Sequence, residues 1–493
     1  MLHAERGPPA RSVQEIRVTS TPTPVRSRDL AELAARLEAE LGPDAVTSAV
    51  VAQETGGEER FAGDRSGSAA AGTRFLVVLP QDTAGVQAAL RLAHATGTPV
   101  VPRGAGSGLS GGAIPVDGGI VLGLERLTAV REIDVLDEVA VVEAGVITAD
   151  LSAALAPHGF FYAPDPASAR LSTIGGNIAT NAGGLHCAKY GVTRESVLAL
   201  EAVLADGTLL RTGHRSLKGV TGLDLTQLLI GSEGTLAVVT AATVRIRPLP
   251  VARRTVLARF ASVEAAAGGV NAISRSPVRP AATELMDAGT LTDIDASTGS
   301  LLAEGASAIL LVELDGYGVD EQVCDLTTAL VGAGGTVREI PDEDEAEHLW
   351  ELRRSGRGFS PEVLRLGEDI AVPKSRLAEI FTALTEIGER HGVQTSALAH
   401  AGDGNLHPCL ALPREEAGEG IEDGVLPAPI LAAADELVRA ALDLGGTISG
   451  EHGIGTAKHH WLDLELSPAS RALQQRLKSA LDPDHLLNPG KAL

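Results

Sequence analysis

Two short polar segments in the second half of the chain carry residues that could bind a metal ion. HAGDGNLHP contains His400 and His407, and SGEHGIG contains Glu451 and His452. Because glycine and asparagine separate the first two histidines, their spacing predicts a tight turn rather than one helical face. His400, His407 and Glu451 would form a set that binds Zn²⁺ or a similar divalent ion and leaves a position open for substrate. The alternative is that these histidines are separate, hydrogen-bonded residues.

Three glycine-dense segments in the first half could hold a planar cofactor that carries phosphate. The first, PRGAGSGLSGG, formally matches the dinucleotide pattern G-x-G-x-x-G, but more glycines and Pro115 follow, so no helix can begin there to face a pyrophosphate. Closely spaced glycines nevertheless let backbone N–H groups converge on an anion. The others are STIGGNIATNAGG, with Asn177 and Asn181, and IGSEGTLAVVT. The alternative for the first segment is a flexible surface loop.

The composition excludes several classes of protein. The 41 Lys and Arg residues against 64 Asp and Glu give a formal net charge of −23, which argues against a nucleic-acid partner. The 3 cysteines, in no C-x-x-C arrangement, argue against a disulfide framework, an iron–sulfur cluster and a cysteine-based zinc site. No apolar stretch is long enough to span a membrane, and the N-terminus lacks the apolar core of a secretory signal. We therefore expect a cytoplasmic protein that contacts a membrane only through a partner.

Sequence periodicity predicts helices and strands that alternate along the chain. The run RDLAELAARLEAELG predicts an amphipathic helix, and FLVVLP, a helix capped by Asp82 and PVVP predict a β-α-β unit. Asp206-Gly207 between apolar runs predicts a hairpin. From about residue 250 strands alternate with long helices, which predicts an α+β fold with a boundary near residues 248–252.

The order and spacing of these motifs resemble the FAD-linked oxidases of the vanillyl-alcohol-oxidase/p-cresol-methylhydroxylase (PCMH) type. The two histidine motifs and the tail LDPDHLLNPGK resemble one branch, the D-2-hydroxyacid dehydrogenases, which includes D-lactate dehydrogenase, the glycolate oxidase flavin subunit and D-2-hydroxyglutarate dehydrogenase. The resemblance implies an α+β fold in which a two-part PCMH-type FAD-binding domain precedes an α+β substrate (cap) domain. The expected segments are a flexible leader (1–27), the FAD-binding domain (28–248), the cap domain with the metal site (249–470) and a C-terminal segment that packs back on the FAD-binding domain (471–493).

The resemblance also implies where a non-covalent FAD would bind. The pyrophosphate is expected on Arg103–Gly111 and the isoalloxazine near Pro164–Gly184, and no attachment motif surrounds the nearby His186 and Cys187. The residues assigned to cofactor binding are Pro102, Arg103, Gly104, Ala105, Gly106, Ser107, Gly108, Leu109, Ser110, Pro164, Asp165, Ser172, Thr173, Gly175, Gly176, Asn177, Ala179, Thr180, Asn181, Gly183, Gly184, Tyr190, Gly191, Glu233, Gly234, Leu236, Val238 and Asn488.

Carried over by motif, the remaining site residues acquire roles in the oxidation of a 2-hydroxy acid. His400, His407 and Glu451 are the expected ligands of a divalent ion, Zn²⁺ above all, and His452 is the expected base. Arg353, in WELRRSGRGF, is the expected partner of the substrate carboxylate, with Arg354 and Arg357 as neighbouring alternatives. The ion would lower the pKa of the substrate hydroxyl, His452 would take its proton, and hydride would pass to flavin N5.

Three positions bear on the choice of substrate. Hydroxyglutarate-specific members align Thr, Lys and Asn with Arg357, a residue near Gly367, and Cys409 of this chain. The loss of these polar groups favours a small acid, D-lactate or glycolate. D-2-hydroxyglutarate is the alternative, because Arg357 could bind a second carboxylate.

The sequence leaves the electron acceptor and two other function classes open. The reduced flavin would pass electrons to oxygen, a quinone, a cytochrome, an electron-transfer flavoprotein or a separate iron–sulfur subunit, and the chain could form a homodimer. One alternative function is a metal-dependent hydrolase built on His400, His407 and Glu451. The other is a non-catalytic electron-transfer subunit that carries flavin.

Overall fold

The computed structural model describes residues 27–51, 59–68, 70, 72–216, 218–355, 358, 362–417 and 425–493. The predicted leader lies outside these ranges except for Ser27, which begins the first helix. Arg357 and residues 418–424 of the acidic insert also lie outside them. Among the described residues, no helix is both long enough and apolar enough to cross a bilayer.

The first half of the chain forms a four-stranded mixed sheet and a five-stranded antiparallel sheet. Its strands are β1 (Val46–Val51), β2 (Arg74–Val78), β3 (Val100–Arg103), β4 (Gly119–Gly123), β5 (Val130–Asp134), β6 (Val139–Glu143), β7 (Phe160–Phe161), β8 (Val197–Val203), β9 (Leu209–Gly213), β10 (Val238–Arg245) and β11 (Arg247–Pro248). Its helices are α1 (Ser27–Leu41), α2 (Thr83–Thr96), α3 (Thr148–Leu155), α4 (Ile174–Thr180), α5 (Cys187–Tyr190), α6 (Thr193–Ser196) and α7 (Leu225–Leu229). The sheet orders are β1-β2-β4-β3 and β5-β6-β10-β8-β9, and β7 pairs with β11.

Local sequence explains several of these elements. The Asp82 side chain accepts the N–H of Gly85 at 2.8 Å and so caps α2, as predicted. Gly207 adopts a φ of 82° in the turn between β8 and β9, which confirms the predicted hairpin. The glycine-dense segment around Asn177 was not predicted to be helical, yet it forms α4, because the Thr173 side chain caps the first turn.

The second half forms one antiparallel sheet of eight strands in the order β15-β12-β14-β13-β18-β19-β16, and β17 pairs with β19. Its strands are β12 (Arg253–Phe260), β13 (Ala282–Asp287), β14 (Ala308–Asp315), β15 (Thr336–Ile340), β16 (Val363–Gly367), β17 (Ile370–Ala371), β18 (Gln394–His400) and β19 (Asn405–Pro413). Its helices are α8 (Val263–Arg275), α9 (Ala288–Thr298), α10 (Val319–Gly332), α11 (Glu343–Ser355), α12 (Leu377–His391), α13 (Ala428–Asp443), α14 (Leu462–Glu465) and α15 (Pro468–Leu481).

Helices cover both faces of this sheet. Because side chains alternate along a strand, Val256 packs in the core beneath α8, α10, α12 and α13, whereas Leu257 packs in a second core beneath α9 and α11. The register then places Glu284 of β13 opposite His400 of β18, and Leu398 of β18 opposite His407 of β19. Three neighbouring strands therefore bring polar groups to one end of the sheet.

The C-terminal segment returns to the first half of the chain. Lys478 Nζ donates to the carbonyl of Thr235 at 2.7 Å, and Asn488 Nδ2 donates to the carbonyl of Glu233 at 2.7 Å. Leu487 forms an isolated parallel bridge with Val100 of β3. The end of the chain thus packs against the first half of the chain rather than adding to the eight-stranded sheet.

Candidate functional site

The structure brings together the three residues predicted to be metal ligands. Glu451 Oε1 lies 3.2 Å from His407 Nε2 and 3.5 Å from His400 Nε2, and one ligand atom from each residue falls within 4.8 Å of the others. The tight turn between β18 and β19 contains Gly404, whose φ of 91° favours glycine. Two imidazole nitrogens and a carboxylate oxygen that face one point fit a divalent ion such as Zn²⁺.

The electrostatics of this cluster also fit a metal site. Burial lowers the pKa of His407 to about 4, so its imidazole is neutral at physiological pH, as a metal ligand requires. Burial would raise the pKa of Glu451, but its bonds to His400 and His407 hold that pKa well below its usual value. Burial would likewise lower the pKa of His400, but Glu284 and Glu451 raise it well above its usual value. Without a metal ion, a proton on His400 therefore balances the two carboxylates, and an ion bound at Nε2 would have to displace that proton.

A second group, formed by Asp369, His407 and His452, is less suited to hold an ion, although its ligand atoms also lie within 4.8 Å of one another. Its carboxylate already accepts four hydrogen bonds, including those from Asn405 Nδ2 at 2.7 Å and Ser449 Oγ at 2.8 Å. The rings of His407 and His452 are stacked with an interplanar angle of 8°, and lone pairs that lie in parallel planes do not converge on one point. His400, His407 and Glu451 are therefore the better ligand set.

Sequence reasoning missed Glu284, a fully buried carboxylate beside the cluster. It accepts a hydrogen bond from His400 Nδ1 at 2.9 Å, which turns Nε2 of that ring toward Glu451. Glu284 also accepts a hydrogen bond from Nε of Arg353 at 2.7 Å and forms an ion pair with Nη2 of the same residue at 2.5 Å. The available signal was weak: Glu284 stands in the segment ATELMD, whose other residues include Ala282, Leu285 and Met286.

A cavity of about 370 Å³ opens beside this cluster and joins both halves of the chain. Of the predicted cofactor residues, those that line it are Pro102, Gly104, Ala105, Gly106, Ser107, Gly108, Leu109, Ser110, Thr173, Gly176, Asn177, Ala179, Thr180, Gly183 and Glu233. A Cβ at Gly108 would meet only Asp64, at 3.9 Å, so the loop backbone faces open space that can receive a phosphate. Glu451 and His452 line the same cavity, and so does Arg354.

Thirteen predicted cofactor residues are absent from the described lining, and several of them hold the surrounding structure. They are Arg103, Pro164, Asp165, Ser172, Gly175, Asn181, Gly184, Tyr190, Gly191, Gly234, Leu236, Val238 and Asn488. Arg103 is buried and donates to the carbonyls of Gly63 at 2.8 Å and Ala113 at 3.3 Å, which shapes the glycine-rich loop. Tyr190 donates to Asp315 of β14 at 2.5 Å, a contact between the two halves.

The glycine-rich loop is bonded directly to the segment that carries His452. Ser110 Oγ lies 3.0 Å from the carbonyl oxygens of both His452 and Gly453. The buried carboxylate of Glu233 accepts the N–H groups of Ile454 at 2.7 Å and Gly455 at 2.9 Å. The wall of the cofactor cavity therefore fixes one side of the His452 turn.

His186 lies between two carboxylates at the contact between the halves. Its Nδ1 is 2.5 Å from Asp165 Oδ2 and its Nε2 is 3.1 Å from Glu313 Oε1. Burial would lower the pKa of His186, but Asp165 and Glu313 outweigh it and raise that pKa to about 10. Both ring nitrogens of His186 therefore have carboxylate partners, and the non-covalent binding of FAD stays a prediction.

We expect His186→Gln to flatten the pH dependence of stability on the alkaline side. The pKa of His186 is about 10 in the folded state and about 6.5 in the unfolded state. Protonated His186 therefore contributes its full stabilisation below a pH of about 6.5. This stabilisation is lost as the pH rises through about 10. Urea unfolding at several pH values from 6.5 to 10 should show a smaller decline for the variant than for the wild type, and equal declines would contradict this role.

Two protein families match this chain, one in each half. Residues 249–492 match the family described as FAD linked oxidases, C-terminal domain, and residues 76–213 match the FAD binding domain family. The chain therefore belongs to the FAD-linked oxidases and is an oxidoreductase that uses FAD. p-Cresol methylhydroxylase with substrate bound is similar in structure, with a TM-score of 0.74 and 16% identity over 95% of this chain and 97% of that chain. The predicted PCMH-type fold is confirmed.

Two relatives are more similar in sequence. The chain is 38% identical to the glycolate oxidase subunit GlcD of Bacillus subtilis (strain 168), over 84% of this chain and 88% of the relative. It is 37% identical to a D-lactate dehydrogenase of Archaeoglobus fulgidus, over 86% of this chain and 92% of the relative. Both names fit the branch that the motifs predicted.

Proposed function

We propose that this protein oxidises a small D-2-hydroxy acid to the 2-oxo acid, with D-lactate or glycolate as the favoured substrate. The observation that carries this proposal is that the glycine-rich loop, Glu451 and His452 line the same cavity. The similarity to a glycolate oxidase subunit and to a D-lactate dehydrogenase supports the same class of CH–OH donor. A metal-dependent hydrolase is disfavoured because the chain belongs to the FAD-linked oxidases.

The residues of the cavity divide the chemistry among them. When bound, FAD would supply the hydride acceptor, and a divalent ion held by His400, His407 and Glu451 would lower the pKa of the substrate hydroxyl. His452 lies in the cavity wall, where its imidazole would take the proton of the substrate hydroxyl. The backbone amides of the glycine-rich loop would hold the pyrophosphate.

Arg353 is our proposed partner for the substrate carboxylate. Its guanidinium lies beside the metal cluster, with Nη2 3.5 Å from Nδ1 of His400. Glu284 binds Nε and Nη2, so we assign Nη1 to the substrate. Arg354 lines the cavity but is 42% exposed and pairs with Glu347 at 2.8 Å, and it is the second candidate.

Two of the positions that bear on substrate choice are consistent with a short substrate. Gly367 of β16 pairs directly with Cys409 of β19, so these two positions lie side by side and neither offers a cationic or amide donor. A distal carboxylate would lack strong partners at both of them. D-2-hydroxyglutarate is the second candidate substrate, because Arg354 adds a cation to the cavity wall.

We also propose that the reduced flavin passes its electrons to a separate acceptor, either a quinone or a protein that carries an iron–sulfur cluster or haem. The similar protein from Bacillus subtilis is named as a subunit, which supports a protein partner. The three cysteines form no disulfide, and none of them belongs to a group of potential metal ligands among the described residues. A cysteine-ligated cluster in this chain is therefore not supported.

Anaerobic bleaching of the bound flavin tests this function. We expect D-lactate or glycolate to bleach the FAD-loaded protein, whereas L-lactate should not. Removal of divalent metal with a chelator should slow bleaching by roughly 100-fold or more, and added Zn²⁺ should restore it, because the ion assists deprotonation. Chelator-insensitive reduction of metal-free protein would exclude the metal, and a flavin that no hydroxy acid reduces would favour a non-catalytic electron-transfer subunit.

A further inference from the structure

Asp369 is a fully buried carboxylate, outside every predicted motif, that binds two of the separate segments of the site. Its Oδ2 accepts Ser449 Oγ at 2.8 Å and the backbone N–H groups of Glu451 and His452, each at 2.9 Å. Its Oδ1 accepts Asn405 Nδ2 at 2.7 Å. One side chain thus joins the turn that carries Glu451 and His452 to the start of β19.

We propose that Asp369 is a positioning residue that sets the directions of the Glu451 and His452 side chains together. Two consecutive N–H groups bound to one oxygen fix the orientation of that backbone. From this turn Glu451 reaches His407 Nε2 at 3.2 Å, while the His452 ring stacks on the His407 ring with centroids 5.0 Å apart. The inference rests on the proposed roles of Glu451 and His452 and adds the group that holds them.

The surroundings of Asp369 keep it ionised, as four hydrogen bonds require. Burial would raise the pKa of Asp369, but His452, Lys458 and His407 outweigh burial and hold it below its usual value. Lys458 Nζ also donates to the main-chain carbonyl of Asp369 and pairs with Glu368 at 3.2 Å. An asparagine at this position would have only one acceptor oxygen. Its NH₂ group would therefore face the donors that now bind one of the two oxygens of Asp369.

The test is Asp369→Asn, which keeps the shape of the side chain and removes one acceptor. We expect Zn²⁺ affinity, measured on FAD-loaded protein by competition with a chromophoric chelator, to fall about 10- to 100-fold. The rate of anaerobic flavin reduction by the hydroxy acid should fall by about 10- to 100-fold as well. The content of bound FAD should stay at the wild-type level, because Asp369 is not among the residues described in the cavity lining.

Asp295→Asn is a chemically matched control. Asp295, near the end of α9, also accepts one serine hydroxyl and two backbone N–H groups. The hydroxyl belongs to Ser300 and the N–H groups to Leu302 and Ala303, which all follow α9 in the chain. The Asp295→Asn variant therefore loses an acceptor for the same kinds of donor at a place outside the site. We expect it to unfold more easily than wild type while it keeps Zn²⁺ affinity and reduction rate.

Two outcomes would overturn the proposal: wild-type Zn²⁺ affinity and rate in Asp369→Asn, or equal losses in the control. If Asp369→Asn does not fold, Ser449→Ala removes one of the four donors, and we expect it to lower Zn²⁺ affinity by a smaller factor, about 3- to 10-fold. An unchanged affinity in that variant also counts against the proposal. If no hydroxy acid reduces the wild type, the proposed function fails, yet the Zn²⁺ comparison still decides the role of Asp369.

Discussion

His452→Ala is expected to slow anaerobic flavin reduction by roughly 10²- to 10⁴-fold, the contribution of a positioned general base. The variant should keep its FAD and its Zn²⁺. The main chain of His452 is held independently of its ring, by Asp369 at the N–H and by Ser110 at the carbonyl. Truncation therefore removes the proton acceptor without releasing the turn. Stopped-flow absorbance with saturating acid measures the rate.

The control for this substitution is His460→Ala, since His460 is an exposed histidine of the same segment whose ring contacts Trp461. We expect its reduction rate to match the wild type. A His452→Ala protein that reduces its flavin as fast as the wild type would remove His452 from the mechanism. A rate loss that follows a loss of bound Zn²⁺ would instead make His452 a structural residue.

Arg353→Met is expected to affect stability and substrate binding separately. It removes the guanidinium that pairs with the buried Glu284 and leaves His400 as the remaining partner of that carboxylate, so the free energy of unfolding should fall by about 3–5 kcal/mol. Adding Glu284→Gln removes the buried charge that has lost its Arg353 partner and should recover most of that loss. The concentration of acid for half-maximal reduction should rise about 10- to 100-fold in both variants, because a hydrogen bond to the substrate carboxylate is gone.

Urea unfolding and titrations of flavin reduction measure the two effects. If the double variant saturates at the wild-type concentration of acid, Arg353 serves only to pair with Glu284. Arg354→Met would then be the next variant, since Arg354 lies on the cavity wall. If the double variant stays as unstable as Arg353→Met, the charge of Glu284 without its Arg353 partner is not the cause of the stability loss.

The sequence predicted the approach of His400 and His407 because the contact between them is local, and their binding of a metal ion stays a prediction. His400 and His407 flank one tight turn between paired strands, so glycine and asparagine between them were sufficient to predict their approach. Glu284 and Asp369 were not predicted, because each lies on a different segment and meets the cluster only through the order of the strands in the sheet. Strand order depends on packing across the whole second half, which no short motif encodes.

The cofactor residues show the same limit. Residues of the glycine-rich loop line the cavity. The sequence could predict this because closely spaced glycines, which lack side chains, are themselves the signal. Arg103 and Tyr190 occur in the same motifs, yet Arg103 shapes the loop from behind and Tyr190 reaches Asp315 in the other half. A motif shared within a family therefore includes residues that hold the fold as well as residues that face the cofactor.

The turn of Glu451 and His452 is bonded to Asp369 on one side and to Ser110 and Glu233 on the other. A chimaera that exchanges residues beyond about 250 between relatives would inherit its proposed base, His452, from one parent and part of the scaffold that holds His452 from the other. Engineering of acid specificity by such exchanges should carry Ser110 and Glu233 along with the new C-terminal portion. Fragments expressed separately would each present an incomplete catalytic centre until they reassociate.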